Sequence, residues 1–401
     1  MSEAQPRPSV PDRGDADLCA LYALVGVAGS AFIPFYALLL RGRGLSADEI
    51  GLVLAVTALA GVATTPFWSH AADTRLGSVH TLQIACAAAC VAALALMATG
   101  SSILGIAVVA AVLGAAQGPQ TAMTDALTLA QLGPMRITEY GTFRLWASTG
   151  WGAGSIAFGA LFAAAGLRLV LPVYAAGIAI YALFVTRFPR QRPAGREPGT
   201  RLGSVGEALR APRVFPFLVG VLVLATSTHA AWDFVPLRIV SEGGGAFLVG
   251  ISSGVSAFVE IPFMRSTRSL VERFGLRAVF AAGAGVYVAA SVAWAVVSDP
   301  VAVTVVRIAI GVGFGLVYVA LVVMTGRLVP ERVRNSGQAL LSICSFGLAP
   351  VIGGAVGGFV YEHIGPAQLF AASAIGIAAG TVVVYAAARG IDDPSRTAVS
   401  D

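Results

Sequence analysis

The chain has 401 residues, 57% of them hydrophobic and 12% charged, with a net charge of +5 and a mean hydropathy of +0.81. A soluble protein would carry about a quarter of its residues as charges, so a water-soluble assembly of domains is excluded and a chain threaded repeatedly through a bilayer is implied. All 26 basic residues are arginines, which leaves no lysine for a phosphate-cradling loop and argues against ATP drive within this chain.

Residues 1–17 are polar, include Asp12, Asp15 and Asp17, and lack a basic segment feeding a short apolar core. No removable signal peptide is expected, and these residues read as a cytoplasmic tail. Six apolar runs follow within residues 18–187: Leu18–Leu40, Ile50–Trp68, Val79–Ala98, Ile103–Leu129, Phe143–Ala165 and Leu169–Val185. Each can cross a hydrocarbon core of ~30 Å, which takes roughly 20 residues. Residues 188–212 hold Pro189, Pro193 and Pro198 among glycines and arginines and read as a flexible cytoplasmic linker. Six more runs fill residues 213–389: Val214–Leu237, Phe247–Met264, Ala278–Val297, Val301–Met324, Ala339–Val360 and Leu369–Ala387. Residues 390–401 form a second cytoplasmic tail. Backbone in lipid must satisfy its own hydrogen bonds, so the spans are helices. The expected fold is an all-α membrane protein of twelve transmembrane helices in two pseudo-symmetric six-helix bundles.

With the N-terminus inside, about twenty arginines fall on the cytoplasmic side, while Arg41, Arg43, Arg168 and Arg238 fall outside and Arg144 and Arg307 lie within spans. This bias predicts a multi-pass protein of the plasma (inner) membrane with both termini cytoplasmic. The basic balance then reports orientation, and no nucleic-acid partner is expected.

The halves resemble each other. Pro134–Gly141 and Pro330–Gly337 share proline, arginine and glycine in one register, and Pro66-Phe67 falls on Pro262-Phe263 at the same offset of 196. Duplicated membrane halves are characteristic of transporters, whose halves rock about a site between them. Gly150/Gly154, Gly311/Gly315 and Gly353/Gly357 have the spacing that lets helix backbones approach closely.

Ionisable residues inside spans cost about 2.5–3.5 kcal/mol on insertion scales and mark polar pathways. Five stand out: Asp125, Arg144, Asp233, Glu260 and Arg307. In the fourth span Gln117, Thr121, Thr124, Asp125 and Thr128 share a helical side, predicted to face a wet cavity; a polar contact between helices is the alternative. In the fifth, Gly141, Arg144, Ser148 and Trp151 align. Trp151 offers a flat face for a ring, with plain packing as its alternative, and Arg144 could otherwise snorkel to the cytoplasm. Thr226, His229 and Asp233 form a stripe in the seventh span, and Arg307, Gly311, Phe314 and Tyr318 one in the tenth. The expected substrate-binding set is Asp125, Arg144, Trp151, Gln117, Thr121 and Tyr318.

Glu260, Asp233, Arg307 and His229 are the candidates for proton coupling or gating. Glu260 has the best claim, as a carboxyl that could load and release a proton when the cavity changes exposure; a permanent salt bridge is the alternative. The short loops Ser69–Val79 and Thr267–Arg277 carry Asp73 and Arg75, then Glu272 and Arg273, which could latch a cytoplasmic gate. Cys19, Cys86, Cys90 and Cys344 are scattered and imply neither a disulfide framework nor a metal site. No nucleophile elbow or paired metal-ligating histidines are present, so no enzyme is expected.

The loop Ala71–Gly77 and its counterpart Glu272–Arg277 resemble the cytoplasmic loops of the major facilitator superfamily. Asp125–Leu129 with Tyr140–Trp151, Val259–Phe263 and Gly337–Gly347 are similar to the branch that holds the lactose permease, nucleoside–proton symporters and the phenylpropionate permease. The resemblance implies that Arg144 binds substrate, that Trp151 stacks on a sugar-like ring, and that Asp125 is the partner acid. The tenth-helix histidine and acid of the lactose permease have no clear counterpart near Tyr318 and Leu321. The expectation is a secondary active transporter of a small organic solute of sugar, nucleoside or aromatic-acid type, working by alternating access and proton symport. Proton-driven efflux of sugars or drugs and a non-transporting receptor or scaffold are the alternatives. The implied partners are that substrate and the bilayer; the protein is expected to be a monomer with no cofactor beyond a proton gradient.

Overall fold

A computed structural model describes residues 13–136, 139–189 and 202–391. The described chain is helical and, among those residues, has no strands. The first half contains α1 (Arg13–Ser30), α2 (Tyr36–Arg41), α3 (Ala47–Ala71), α4 (Gly77–Met97), α5 (Ile103–Gln117), α6 (Pro119–Arg136), α7 (Tyr140–Ala165) and α8 (Val170–Phe184). A short helix, α9 (Leu202–Arg210), leads to the second half: α10 (Val214–Trp232), α11 (Val235–Ser241), α12 (Ala246–Phe274), α13 (Leu276–Val296), α14 (Pro300–Leu328), α15 (Arg334–Ser342), α16 (Ala349–His363) and α17 (Pro366–Ala387).

Among the described residues ten stretches are long and apolar enough to cross a membrane. One of them, Ala47–Met97, has 51 residues, more than twice what a ~30 Å core needs at 1.5 Å per residue, and it divides at Gly77 into α3 and α4. The 26-residue α7, which carries Arg144, is a further long helix. Each of the twelve expected spans falls on one of these helices or on a consecutive pair.

The halves pack as copies. In the first, α1 lies against α7 and α8, α3 against α5, and α4 against α5 and α8; in the second, α10 lies against α16 and α17, α12 against α14, and α13 against α14 and α17. The two seams between halves are themselves a symmetric pair, α7 with α12 and α3 with α16. Each half has its own aromatic core. Phe32 and Tyr174 meet at 4.9 Å in one, and Trp294 and Phe370 at 5.7 Å in the other.

Prolines break matching helices. Pro34 sits in a 3₁₀ turn between α1 and α2, and Pro236 in the first turn of α11 just after α10 ends, because proline removes a helical N–H and crowds the preceding turn. Ion pairs and hydrogen bonds gather Asp17 with Arg187, and Arg213 with the Arg389 carbonyl, at one end of the bundle; this is called the α9 end below.

Several sequence expectations are corrected. The single offset of 196 does not hold: the left-handed turn glycines Gly44, Gly77 and Gly166 are matched by Gly243, Gly275 and Gly365, 199, 198 and 199 positions on. The loops expected at Ser69–Val79 and Thr267–Arg277 are largely helix, since α3 continues through a π turn (Ala72–Leu76) and α12 runs to Phe274. Gly77 (φ 71°) and Gly275 (φ 83°) alone make the reversals, in a conformation that glycine adopts without strain. Residues 202–210, placed in a flexible linker, form α9, whose Glu207 pairs with Arg332; residues 190–201 lie outside the described residues. Likewise α1 begins five residues before the expected start of the first span, while the rest of that tail and the last ten residues lie outside the description.

Candidate functional site

Arg144 stands in the second turn of α7, where an unpaired guanidinium would be costly in lipid. Its Nη1 donates to Asp125 Oδ2 on α6 at 3.2 Å and to the Tyr140 hydroxyl one turn earlier at 2.8 Å. The other carboxylate oxygen of Asp125 accepts from Tyr22 on α1 at 2.7 Å. The sequence alternative, an arginine reaching to the headgroups, is not what the structure contains. The side chains are 40% and 22% exposed, and Arg144 is within electrostatic reach of Tyr318 and Glu260 of the other half, so the pair opens onto the cleft between the halves.

One helical turn further along α7, the site crosses between halves. Ser148 Oγ donates to Glu260 Oε1 on α12 at 2.5 Å. Trp151 Nε1 donates to Ser253 Oγ, also on α12, at 2.9 Å, and Ser155 Oγ donates to the same hydroxyl at 3.4 Å. The helices can come this close because the seam is lined with glycine. A Cβ added at Gly159 would lie 2.8 Å from the Gly250 Cα, and one at Gly152 would meet Phe258 at 2.8 Å. The glycine pairs singled out in the sequence do a different job within each half: Gly150 packs on Ala23, Gly311 on Ser256 and Gly353 on Thr226.

The second half faces this with aromatic rings. Phe314 and Tyr318 on α14 stack at 5.6 Å, Tyr318 meets Phe346 at 5.7 Å, and Phe314 meets Trp232 at 6.3 Å. Arg307 lies over the Trp232 ring at 5.0 Å, a cation–π contact. Asp233, at the end of α10, and Glu260 both lie within electrostatic reach of Arg307, and Arg144 is within reach of Glu260 and Tyr318. Among the described residues no ion pair joins Asp233 or Glu260 to an arginine, and Glu260 is bonded to a hydroxyl of the opposite half. His229 sits deeper, 6.3 Å from Trp232 and facing the Ser345 backbone. Ser345 lies in a π turn (Ile343–Leu348), and such turns leave backbone carbonyls free to accept.

Gln117 lies elsewhere. Its Nε2 donates to Tyr174 in the core of the first half at 2.7 Å, and Thr124 bonds Tyr181 at 2.5 Å. Gly118 keeps helical backbone angles, and Gln117 and Thr124, seven positions apart, reach Tyr174 and Tyr181, also seven apart on α8, so that stripe joins helices while Asp125, one position further round, turns to the cleft. Thr121 is exposed.

Asp73, Arg75, Glu272 and Arg273 are all exposed at the α9 end. Glu272 pairs with Arg268 on its own helix and Arg273 lies over Phe274. Polar contacts between the halves include Ser148–Glu260, Trp151–Ser253, Ser155–Ser253 and the pairing of Glu362 with Ala47 and Arg41. At the far end Glu362 joins the halves, while the described partners of Glu272 and Arg273 lie on their own helix, α12.

The sequence did not single out Tyr22, Tyr140, Ser253, Trp232, Phe346 or Glu362. The tyrosines and tryptophan gave a faint signal, as polar-tipped aromatics within a turn or two of a charge. Ser253 and Glu362 gave none, being a small residue in a serine-rich helix and a charge at a span end.

The signature of the MFS_1 like family matches residues 17–372. The chain is 28% identical over 355 residues to a maltose permease of Geobacillus stearothermophilus, spanning 87% of this chain and 89% of that protein. It is 21% identical over 359 residues to the uncharacterized transporter YwbF of Bacillus subtilis strain 168, spanning 86% and 85%. The solved structure of the nucleoside transporter NupG superposes with a TM-score of 0.81 at 16% identity, over 94% of this chain and 100% of that one. The POT family transporter PepTSo gives 0.73 at 11% identity, over 95% and 98%. The likeness to these two structures is one of fold.

Proposed function

The chain belongs to the MFS_1 like family of membrane transporters, and from that premise we propose that it carries a small, polar, ring-bearing solute of the sugar or nucleoside class by alternating access, in symport with protons. It is a multi-pass membrane transporter of the major facilitator type and not an enzyme. The proposal places it in the plasma membrane as a monomer with the α9 end cytoplasmic, needing no cofactor beyond the proton gradient.

The observation that carries the reading is the Ser148–Glu260 pair beside Arg144–Asp125. It sets a titratable carboxyl, held by a hydroxyl of the other half, one helical turn from a partly exposed charge pair. Flat faces on both sides (Trp151 on α7; Trp232, Phe314 and Tyr318 opposite) suit a ring, and the charged groups suit its hydroxyls. The names of two relatives, a maltose permease and a nucleoside transporter, agree with that chemistry.

The test is uptake by proteoliposomes with an imposed pH gradient, using labelled di- and monosaccharides and nucleosides chosen by thermal-shift screening of the purified protein. Accumulation of one of these, acid outside, supports the proposal. Export driven by the same gradient would replace symport with antiport, and selective binding of a solute with no ring would overturn the substrate class.

A further inference from the structure

At the end opposite α9, a cavity of 290 Å³ opens between the ends of α2 and α4 and the start of α8. Its floor is apolar (Leu39, Leu167 and Leu171, with Met97 at the edge), and Arg43 and Arg168 line it as well. Four arginines were assigned to this side from the sequence. Two have carboxylate partners: Arg41 with Glu362 at 3.6 Å, and Arg238 with Glu242. Among the described ion pairs neither Arg43 nor Arg168 has one, and these two share the one cavity.

Arg43 is preorganised. Its Nη1 donates to the Leu96 carbonyl in the last turn of α4 at 2.7 Å and to Thr99 Oγ1 at 3.1 Å, which also neutralises the negative end of that helix. One edge of the guanidinium is thereby fixed, and among the described hydrogen bonds and ion pairs its other N–H groups have no partner. Arg168 is exposed, in a 3₁₀ turn (Leu167–Leu169) held by the left-handed Gly166.

We propose that this cavity binds the phosphodiester of a membrane phospholipid in the leaflet at that end, with Arg43 and Arg168 holding the phosphate and Leu39, Met97, Leu167 and Leu171 receiving the start of an acyl chain. Guanidinium groups match phosphate in geometry and charge. The apolar floor next to membrane-spanning helices separates a lipid from a free anion, which would gain nothing from four aliphatic side chains. The site lies away from the cleft between the halves and does not depend on the transported solute.

The test uses the purified full-length protein, delipidated in detergent and titrated with phosphatidylglycerol, read by thermal stability and by native mass spectrometry of retained lipid. Arg168→Gln removes an exposed side chain and leaves the Arg43–Leu96 contact in place. We expect it to weaken half-saturation roughly tenfold, the scale of one charge-assisted contact, and to lose one retained lipid while the lipid-free melting temperature is unchanged. Equal retention by wild type and Arg168→Gln would overturn the site. Equal stabilisation by diacylglycerol, which has no phosphate, would overturn the role of the arginines. Equal stabilisation by inorganic phosphate alone would make this a free-anion site and overturn the lipid.

Discussion

The backbone N–H of Ala47, at the start of α3, donates at 2.7 Å to Glu362 Oε2 near the end of α16, so a carboxylate of one half caps a helix of the other. The first amides of a helix have no partner within it and carry partial positive charge. Arg41 adds a second contact at 3.6 Å. Beneath them a Cβ at Gly358 would lie 2.4 Å from the Ala47 carbonyl oxygen, so the capped helix ends meet backbone to backbone.

Removing the cap should open this end. A helix cap is worth about 0.5–2 kcal/mol, so Glu362→Ala is expected to raise the ratio of far-end-open to far-end-closed molecules roughly two- to thirty-fold. Spin labels at Ser101 and Ser298, exposed on the two halves at that end, should gain a longer-distance component in a background without the four native cysteines. Superimposable distance distributions would show that Glu362 does not hold the seal.

A second contact is set by pH. At the α9 end Arg136 donates to Glu139 at 2.6 Å and to both oxygens of Asp15 at 2.9 and 3.0 Å, tying the start of α1 to the link between α6 and α7. The hydrogen bonds from Arg136 hold the Glu139 carboxyl below its ordinary value of 4.5. A carboxyl depressed by folding favours the folded arrangement above the unfolded value and ceases to do so as pH falls through the folded one. The protection factor against hydrogen exchange in the first turn of α1, which removes the intrinsic pH dependence, is therefore expected to be flat from neutral pH to about 5 and to fall below about 4. Arg136→Gln should show the faster exchange throughout, and the pH step should vanish.

What the sequence revealed follows from what lipid penalises. Long apolar runs, and charges stranded inside them, are visible because the bilayer makes both costly to place otherwise, and the Arg144–Asp125 pair emerged on that ground. Glu362 escaped because a carboxylate at a span end costs little and resembles any loop charge; its meaning comes from Ala47, 315 positions away. Gln117 misled for a different reason. Its helical face is that of Thr124, seven positions on, and both reach tyrosines of α8, whereas Asp125 lies one position, about 100°, further round the helix. The gate charges were placed in loops because polar residues end an apolar run, whereas α12 continues past the membrane to Phe274.

Trp151 is fixed across the seam by Ser253, and the bond and the ring can be separated. Ser253→Ala removes the acceptor of the indole N–H and leaves the ring packed against Gly29, whose added Cβ would lie 3.0 Å from it. One neutral hydrogen bond contributes about 0.5–1.5 kcal/mol, so KM should rise roughly two- to tenfold with little change in kcat. Trp151→Ala removes the stacking face as well and should raise KM further. Equal KM values for Trp151→Ala and wild type would remove Trp151 from the binding surface.

Arg144→Gln separates a functional role from a structural one by magnitude. Breaking a fully buried ion pair costs about 3–5 kcal/mol, but these side chains are 40% and 22% exposed, and a pair so close to water is worth about 1 kcal/mol at most. Asp125 also keeps its bond from Tyr22. The variant is expected to insert and to melt within a few degrees of wild type while losing substrate binding in a thermal-shift titration. A large drop in melting temperature with binding intact would mean that Arg144 is a strut.

Glu260→Gln tests the proton. The amide oxygen can still accept from Ser148, so the seam between α7 and α12 should close as before, while the group can no longer load and release a proton. Accumulation against a gradient needs that cycle; exchange of labelled for unlabelled solute across the membrane does not. The variant is therefore expected to lose uphill uptake driven by an imposed pH gradient and to retain counterflow exchange. Glu260→Ala, which also loses the Ser148 contact, should impair both. Uphill uptake by Glu260→Gln equal to wild type would move the coupling to Asp233, the other carboxyl within reach of Arg307, and Asp233→Asn would then be expected to show the same split between uptake and exchange.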